Sequence, residues 1–296
     1  MKYKIILILL LTCSTFAFSQ KKGKGIIEAN YECSWSMKFI DDTIKMIQGI
    51  EDRIILQIGD DLSYQYSYNS QQWDSTSNSV IKNYSLMKDF NIIKEFVESR
   101  REYLRNSDTR ESGAPRNSFW GGGKLYKDYK SKKIKVVDQI SIHWFAYEES
   151  LIPQNWEIMD DTTTIAGYFC QKAVCDYRGR SYEAWFASEI PISEGPWKFY
   201  GLPGLIIKLY DTQRHYEFDL EEFKSVNNTI DINVLTTNKI VRSNRTFTLT
   251  KVERKKLLSM QWGEQGNRIA EAEMAKVGIS HTSQARNHDH IERDYK

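Results

Sequence analysis

Histidine and cysteine are both scarce in this 296-residue chain, with five of one and four of the other. That scarcity narrows the chemistry. No HExxH, GxSxG, CxxC or dinucleotide-binding pattern occurs, so the short signatures of zinc peptidases, serine hydrolases, thiol-redox proteins and nucleotide enzymes are all missing. A cationic excess is missing too: 41 Lys and Arg stand against 39 Asp and Glu. A protein that neutralises nucleic-acid phosphates needs a clear surplus. Beyond Gln20 no apolar run approaches the roughly 20 residues of a membrane-spanning helix. No metal and no cofactor is expected.

What is present begins at the N-terminus. Lys2 and Lys4 precede an unbroken apolar run, Ile5–Leu11, and Ala17 and Ser19 stand at −3 and −1 of a cut before Gln20. This is the pattern of a secretory signal peptide over residues 1–19, too short for a permanent anchor. A lipoprotein reading would use Cys13, but Thr12 is a poor residue just before a lipidated cysteine. Removing the signal takes away two lysines and no acid, which leaves a formal charge of zero. The charges are nonetheless segregated. Lys94–Lys135 holds 12 basic and 6 acidic residues, and Val136–Gln171 holds six acids with no Lys or Arg. Such blocks pair with each other on a solvated surface, or else form a basic strip for anionic lipid or glycan.

After export, Cys33, Cys170 and Cys175 remain, an odd number. Cys170 and Cys175 fall on one expected strand about 16 Å apart, beyond disulfide reach. Cys33 with Cys170 is the favoured pair if a bond forms; buried free thiols are the alternative.

Strand signals dominate. Ala29, Tyr31, Cys33, Trp35, Met37 and Phe39 alternate with polar residues, the period of a strand with one buried face. Arg53–Ile58 and Leu62–Tyr68 flank Gly59-Asp60-Asp61, a hairpin connection. Further strands are expected at 134–137, 140–147, 156–159, 165–177, 182–187, 205–210 and 215–223, with more between 230 and 249. Asp160-Asp161 and Arg178-Gly179-Arg180 read as turns. An amphipathic helix is expected over 86–105, from Leu86, Phe90, Ile93, Val97 and Leu104. Gly121-Gly122-Gly123-Lys124 lacks phosphate-loop spacing and reads as a flexible turn. Thr250 and Glu253 suggest a capping box for a later helix, with a second helical stretch from 269 to 277.

The middle of the chain resembles the GLPGLI family, exported proteins of unknown function with a Porph_ging-type domain, known mainly from Bacteroidota. The namesake hexapeptide is Gly201-Leu202-Pro203-Gly204-Leu205-Ile206. Around it stand Trp156-Glu157-Ile158, Ile165–Ala173, Arg178-Gly179-Arg180, Ala184-Trp185-Phe186, Ile190-Pro191 and Gly195-Pro196. The chain departs at its end, with Asn287-His288-Asp289-His290-Ile291-Glu292 where the family often has an Asn-Pro-Ile-Glu-type motif. The resemblance implies an envelope location (periplasm or outer-membrane-associated) and neighbourhood with TonB-dependent transporters.

The hexapeptide itself fits a type II turn with Pro203 and a positive-φ Gly204. It holds no nucleophile or metal ligand. Either it folds back to close one end of the sheet, or it forms an apolar lip over a ligand groove. The groove residues would be Trp185, Trp197, Phe199, Tyr200, Leu202, Pro203 and Leu205. His143 and His215 read as structural. His281, His288, Asp289 and His290 could gather a metal only without preorganised geometry.

The expected architecture is mainly β (α+β): a single curved antiparallel sheet or half-open barrel, similar in strand order to LolA-like carriers, with one packed helix and a helical C-terminal segment. The segments are a signal peptide (1–19), an antiparallel β domain (20–249), a helical segment (250–279) and a polar disordered tail (280–296). Two functions fit: a non-catalytic envelope protein that binds an apolar or lipid ligand or assists an outer-membrane TonB-dependent transport partner, and an envelope hydrolase whose site assembles across strands. Neither nucleic-acid binding nor an integral membrane position is expected.

Overall fold

The computed structural model describes residues 26–39, 50–68, 70–71, 123–140, 143–242, 245–262, 272, 291–292 and 294. The helix expected over 86–105, the one over 269–277 apart from residue 272, and the histidines at 281, 288 and 290 lie outside them.

The first half is a meander of six strands: β1 (Ile26–Phe39), β2 (Ile50–Ile58), β3 (Leu62–Ser67), β4 (Lys124–Asp128), β5 (Lys133–Ile140) and β6 (His143–Ser150). The second half is a meander of five: β7 (Glu157–Ile165), β8 (Tyr168–Tyr177), β9 (Arg180–Ala187), β10 (Leu205–Asp211) and β11 (Tyr216–Asp231). Then come α1 (Asn233–Thr237), the pair β12 (Lys239–Arg242) and β13 (Arg245–Thr248), the short β14 (Thr250–Lys251) and α2 (Arg254–Trp262).

Within each half, every strand pairs antiparallel with its sequence neighbour, and β1 pairs with β11 to join the halves into one sheet. The order is β14-β6-β5-β4-β3-β2-β1-β11-β10-β9-β8-β7, with β14 alongside β6 as the parallel exception. The topology is therefore that of an up-and-down barrel with one ladder missing, between β6 and β7.

Connectivity forces the curvature. β6 ends at Ser150 and β7 starts at Glu157, so the link is only Leu151–Trp156. That link reaches at most about 25 Å. In a flat sheet the ten spacings between β6 and β7 would separate them by about 48 Å. The sheet must curl, and the ionic contacts across its gap show that it does. It remains open, as the half-open-barrel expectation has it.

The concave side holds the main core, including Cys33, Trp35, Leu56, Phe186, Phe199, Leu205 and Phe218. The alternation in β1 delivers this: Cys33 and Trp35 are fully buried, and the Trp35 indole donates to the Ile206 carbonyl at 3.1 Å. A second apolar cluster lies on the other face, where α1 and the β12–β13 pair cover Ala29, Leu62, Tyr126, Trp144 and Ala146. The segregated charges meet on adjacent strands: Lys135 stands opposite Glu148 in the β5–β6 register, and Lys133 is 3.4 Å from Glu148.

Four local expectations differ from the structure. Residues 165–177 are not one strand, because Ala166 (φ 51°) and Gly167 (φ 86°) form a two-residue hairpin turn. Asp160 and Asp161 are not a turn; they lie inside β7, exposed, within the register irregularity between Ile158 and Thr162. Thr250 does not cap a helix: it pairs with Phe145, and α2 begins at Arg254. In the hexapeptide the positive φ belongs to Gly201 (97°), not to Gly204. Gly204 is needed for closeness instead, since a Cβ there would lie 2.2 Å from the Ala187 carbonyl oxygen.

Candidate functional site

The segment between β9 and β10, residues 188–204, crosses the concave side of the sheet. Short backbone bonds hold its shape, among them Leu205 N to Ile190 O (3.1 Å) and Ile206 N to Glu194 O (3.0 Å). Its aromatics point inward. Phe199 is fully buried with its ring 4.6 Å from that of Tyr182 and 5.3 Å from that of Tyr177, both near edge-on. Burying each such side chain contributes about 1.5–3 kcal/mol. Distant parts of the chain hold the segment by polar bonds: Gln65 of β3 accepts from Trp197 N at 2.7 Å, and Gln154 of the β6–β7 link both accepts from Tyr200 N (3.0 Å) and donates to Lys198 O (3.1 Å).

Lys127 of β4 is fully buried and donates to Glu194 (2.7 Å), Gly195 O (3.2 Å) and Phe199 O (3.1 Å), so each of its three protons has an acceptor. Burial pushes its ammonium below the ordinary lysine value, and the single carboxylate of Glu194 does not fully offset this. Tyr129 donates to the other oxygen of Glu194.

At the open gap of the barrel sits a larger ionic cluster. Lys198, fully buried, lies 2.6 Å from Glu149 of β6 and 2.5 Å from Glu292, and donates to the Tyr147 hydroxyl at 2.9 Å. Arg178, in the β8–β9 turn, reaches Glu149 at 2.8 Å and Asp294 at 3.0 Å. Arg254, at the start of α2, contacts Glu292 at 2.6 Å and holds Asp294 with two nitrogens at 2.8 Å each. Three cations face three carboxylates, and together they bridge strands that the sheet leaves unpaired. Burial opposes the charge on Lys198, but Glu292, Tyr147 and Glu149 outweigh it and hold its ammonium well above the ordinary value. Lys127 and Lys198 thus shift in opposite directions at equal burial, because one has a single carboxylate partner and the other has two.

The three described thiols are free and buried. Burial raises all of them, Cys33 well above the ordinary value and Cys175 up to about 12. They are held in the protonated, unreactive form. A cavity of about 200 Å³ opens on the convex side between Lys133, Lys135, Glu148 and Tyr126, next to Leu235 of α1. Lys135 there donates to the Val234 carbonyl at 3.0 Å.

The expected groove residues divide. Trp197, Phe199, Tyr200, Leu202 and Leu205 are 0–7% exposed and belong to the main core, packed by the segment's own fold. Trp185 is half-buried on β9, its indole 3.5 Å from the Tyr210 hydroxyl, and Pro203 is exposed. His143, exposed at the start of β6, and His215, just before β11, lie on strands with five others between them. Among the described residues no group of three or more His, Cys, Asp or Glu could hold a metal ion, and no helix is long and apolar enough to cross a membrane.

Sequence reasoning missed Lys198, Arg254, Glu292 and Asp294. It placed residues 280–296 in a disordered tail, whereas Ile291 and Glu292 are fully buried. Glu148-Glu149 carried a usable signal: adjacent acids on a strand point to opposite faces, and here Glu148 meets Lys133 while Glu149 meets Arg178 and Lys198.

Residues 177–208, spanning β9 and the inward segment, match the model of a family described as "Protein of unknown function (Porph_ging)". No curated protein matches the chain. Two solved structures of PNGF-II, in different space groups, are similar in fold at 14% and 13% identity, with TM-scores of 0.47 and 0.48. The matches cover 79% of this chain and 33% of that one, so this chain spans about a third of the PNGF-II length.

Proposed function

We propose that the protein is an exported, non-catalytic component of the cell envelope, related to the GLPGLI proteins of Bacteroidota, and that it acts by shape on a partner. One observation carries the reading: the concave side of its sheet, where a small ligand or a reaction centre would sit, is filled by Trp197, Phe199, Tyr200 and Leu202 of its own chain. The ionic groups beneath that segment are engaged with one another, and the thiols are held protonated. The signal-like N-terminus supports export to the periplasm or the outer-membrane surface, and the family resemblance supports a TonB-dependent transport partner.

A second reading follows from the same segment. The aromatics that fill the concave side are carried on one connection, so an apolar or lipid ligand takes their place when that connection swings out. The experiment is a titration of the processed protein with a fluorescent fatty acid, alongside mass spectrometry of what co-purifies. The partner reading expects neither saturable binding nor bound lipid, and expects in-cell crosslinks from the exposed Pro203 edge to an outer-membrane protein. Saturable binding weakened by Trp197→Ala shifts the assignment to a lipid carrier. A chain recovered from the cytoplasm with residues 1–19 intact overturns both.

A further inference from the structure

The pocket that receives Ile291, Glu292 and Asp294 is assembled entirely from other parts of the chain. Lys198 comes from the inward segment, Arg178 from the β8–β9 turn, Arg254 from α2, and Tyr147 and Glu149 from β6. Take Glu292 and Asp294 away, and three cations face Glu149 alone. The pocket then carries two uncompensated positive charges in a largely desolvated place. Two carboxylates restore neutrality there, and Glu292 and Asp294 are the two that enter it.

The fit is specific in three respects. The Ile291 side chain is fully buried in the main core cluster, so one position demands an apolar group. The Tyr182 hydroxyl donates to the Ile291 carbonyl at 2.9 Å, which fixes the backbone. The Arg254 guanidinium takes Asp294 with two nitrogens and Glu292 with one, a fork geometry that reads carboxylates at the next position and at the third.

We propose that this pocket is a peptide-docking site: it recognises a short segment with an apolar residue followed by carboxylates at the next and third positions, and Ile291, Glu292 and Asp294 are the occupants seen here. The site is a separate binding element and does not rest on the partner or lipid readings above. Its occupancy bears on them, because Lys198 sits between Trp197 and Phe199. Docking at the gap therefore tethers the segment that fills the concave side.

The test uses the full-length protein and a fluorescein-labelled peptide of residues 287–296. In the wild-type chain the pocket is occupied and the peptide binds weakly. In the full-length double variant Glu292→Gln, Asp294→Asn the chain's own segment is released, and fluorescence anisotropy shows saturable binding at least tenfold tighter. A peptide carrying the same two changes loses at least tenfold, and raising the salt weakens the native peptide. A double variant that melts cooperatively yet binds no peptide overturns the proposal, and so does one that no longer folds, since the segment would then be core. Hydrogen exchange on the wild type decides independently. Faster exchange of the Glu292 amide than of the β10 amides supports a detachable occupant. Exchange of both only through global unfolding overturns it.

Discussion

Lys198 and Glu292 hold each other at 2.5 Å with side chains 0% and 1% exposed, although one belongs to the inward segment and the other to a stretch far along the chain. A buried ion pair of this kind adds little over an apolar replacement, but half of one is costly. Lys198→Met removes the cation that lies between Glu149 and Glu292 and leaves each carboxylate with its arginine alone, Arg178 and Arg254. The expected loss is about 3–5 kcal/mol by urea denaturation. Adding Glu292→Gln to that variant recovers part of the loss, so the double change costs at least about 1 kcal/mol less than the sum of the two single changes. Strict additivity would show that the two residues act independently.

The cluster also sets an acid limit. Burial works against the charge of Asp294, but hydrogen bonds from Arg254 and Arg178 prevail and keep its carboxyl below the ordinary 3.8. A lowered carboxylate stabilises the fold fully above the ordinary value, and that stabilisation is lost as pH falls through the folded value. The urea midpoint of the wild type therefore drops below about pH 4 more steeply than that of Asp294→Asn, for which this part of the acid limb is flattened. Lys198 behaves in the opposite sense: its raised value gives stability that is complete below 10.5 and lost at higher pH. Equal pH profiles for wild type and Asp294→Asn would remove the argument.

Three glycines separate conformational strain from crowding. At Gly167 φ is +86° and a Cβ meets nothing within 4 Å, so Gly167→Ala costs only the left-handed conformation, about 1–2 kcal/mol. At Gly201 φ is +97° and a Cβ comes within 2.6 Å of the Pro153 side chain, which adds crowding by a group that can shift. At Gly204 the obstacle is backbone, the Ala187 carbonyl, and Gly204→Ala is expected to cost about 3 kcal/mol or more. Thermal melts should rank the variants in that order; a mild Gly204→Ala would mean that the turn can open.

Thiol labelling tests the interior. Cys33, Cys170 and Cys175 are buried and unbonded, so maleimide added without reductant should leave them untouched in native buffer and modify all three in urea. Peptide mapping that finds Cys33 linked to Cys170 would contradict the structure.

Much of the sheet was legible because its signal is local. The alternation in β1 and the Gly59-Asp60-Asp61 hairpin need only neighbouring residues to be read, and Arg178-Gly179 gave its turn through chemistry that demands positive φ. Ala166-Gly167 makes the same kind of turn but was hidden, because alanine is a poor left-handed residue and Ile165–Tyr177 otherwise alternates as one strand. The ionic cluster was not legible at all. Nothing in their spacing ties Lys198, Arg254 and Glu292 to one another, and only the curling of the sheet brings them together. Burial of Trp197 and Phe199 could be anticipated from their size, but not whether they would line a groove or fill one.

The seam between β1 and β11 has a consequence for how the molecule comes into being. It pairs Cys33 with Phe223 and Phe39 with Tyr216, so the middle of the sheet joins its earliest strand to one of its latest. Each meander can start from neighbouring hairpins, but contacts this distant in sequence are slow to form. A chain emerging amino-end first must wait, with one edge of β1 bare, until β11 (Tyr216–Asp231) has been delivered. A bare strand edge is a template for pairing with another chain, so association between copies competes with folding during that wait.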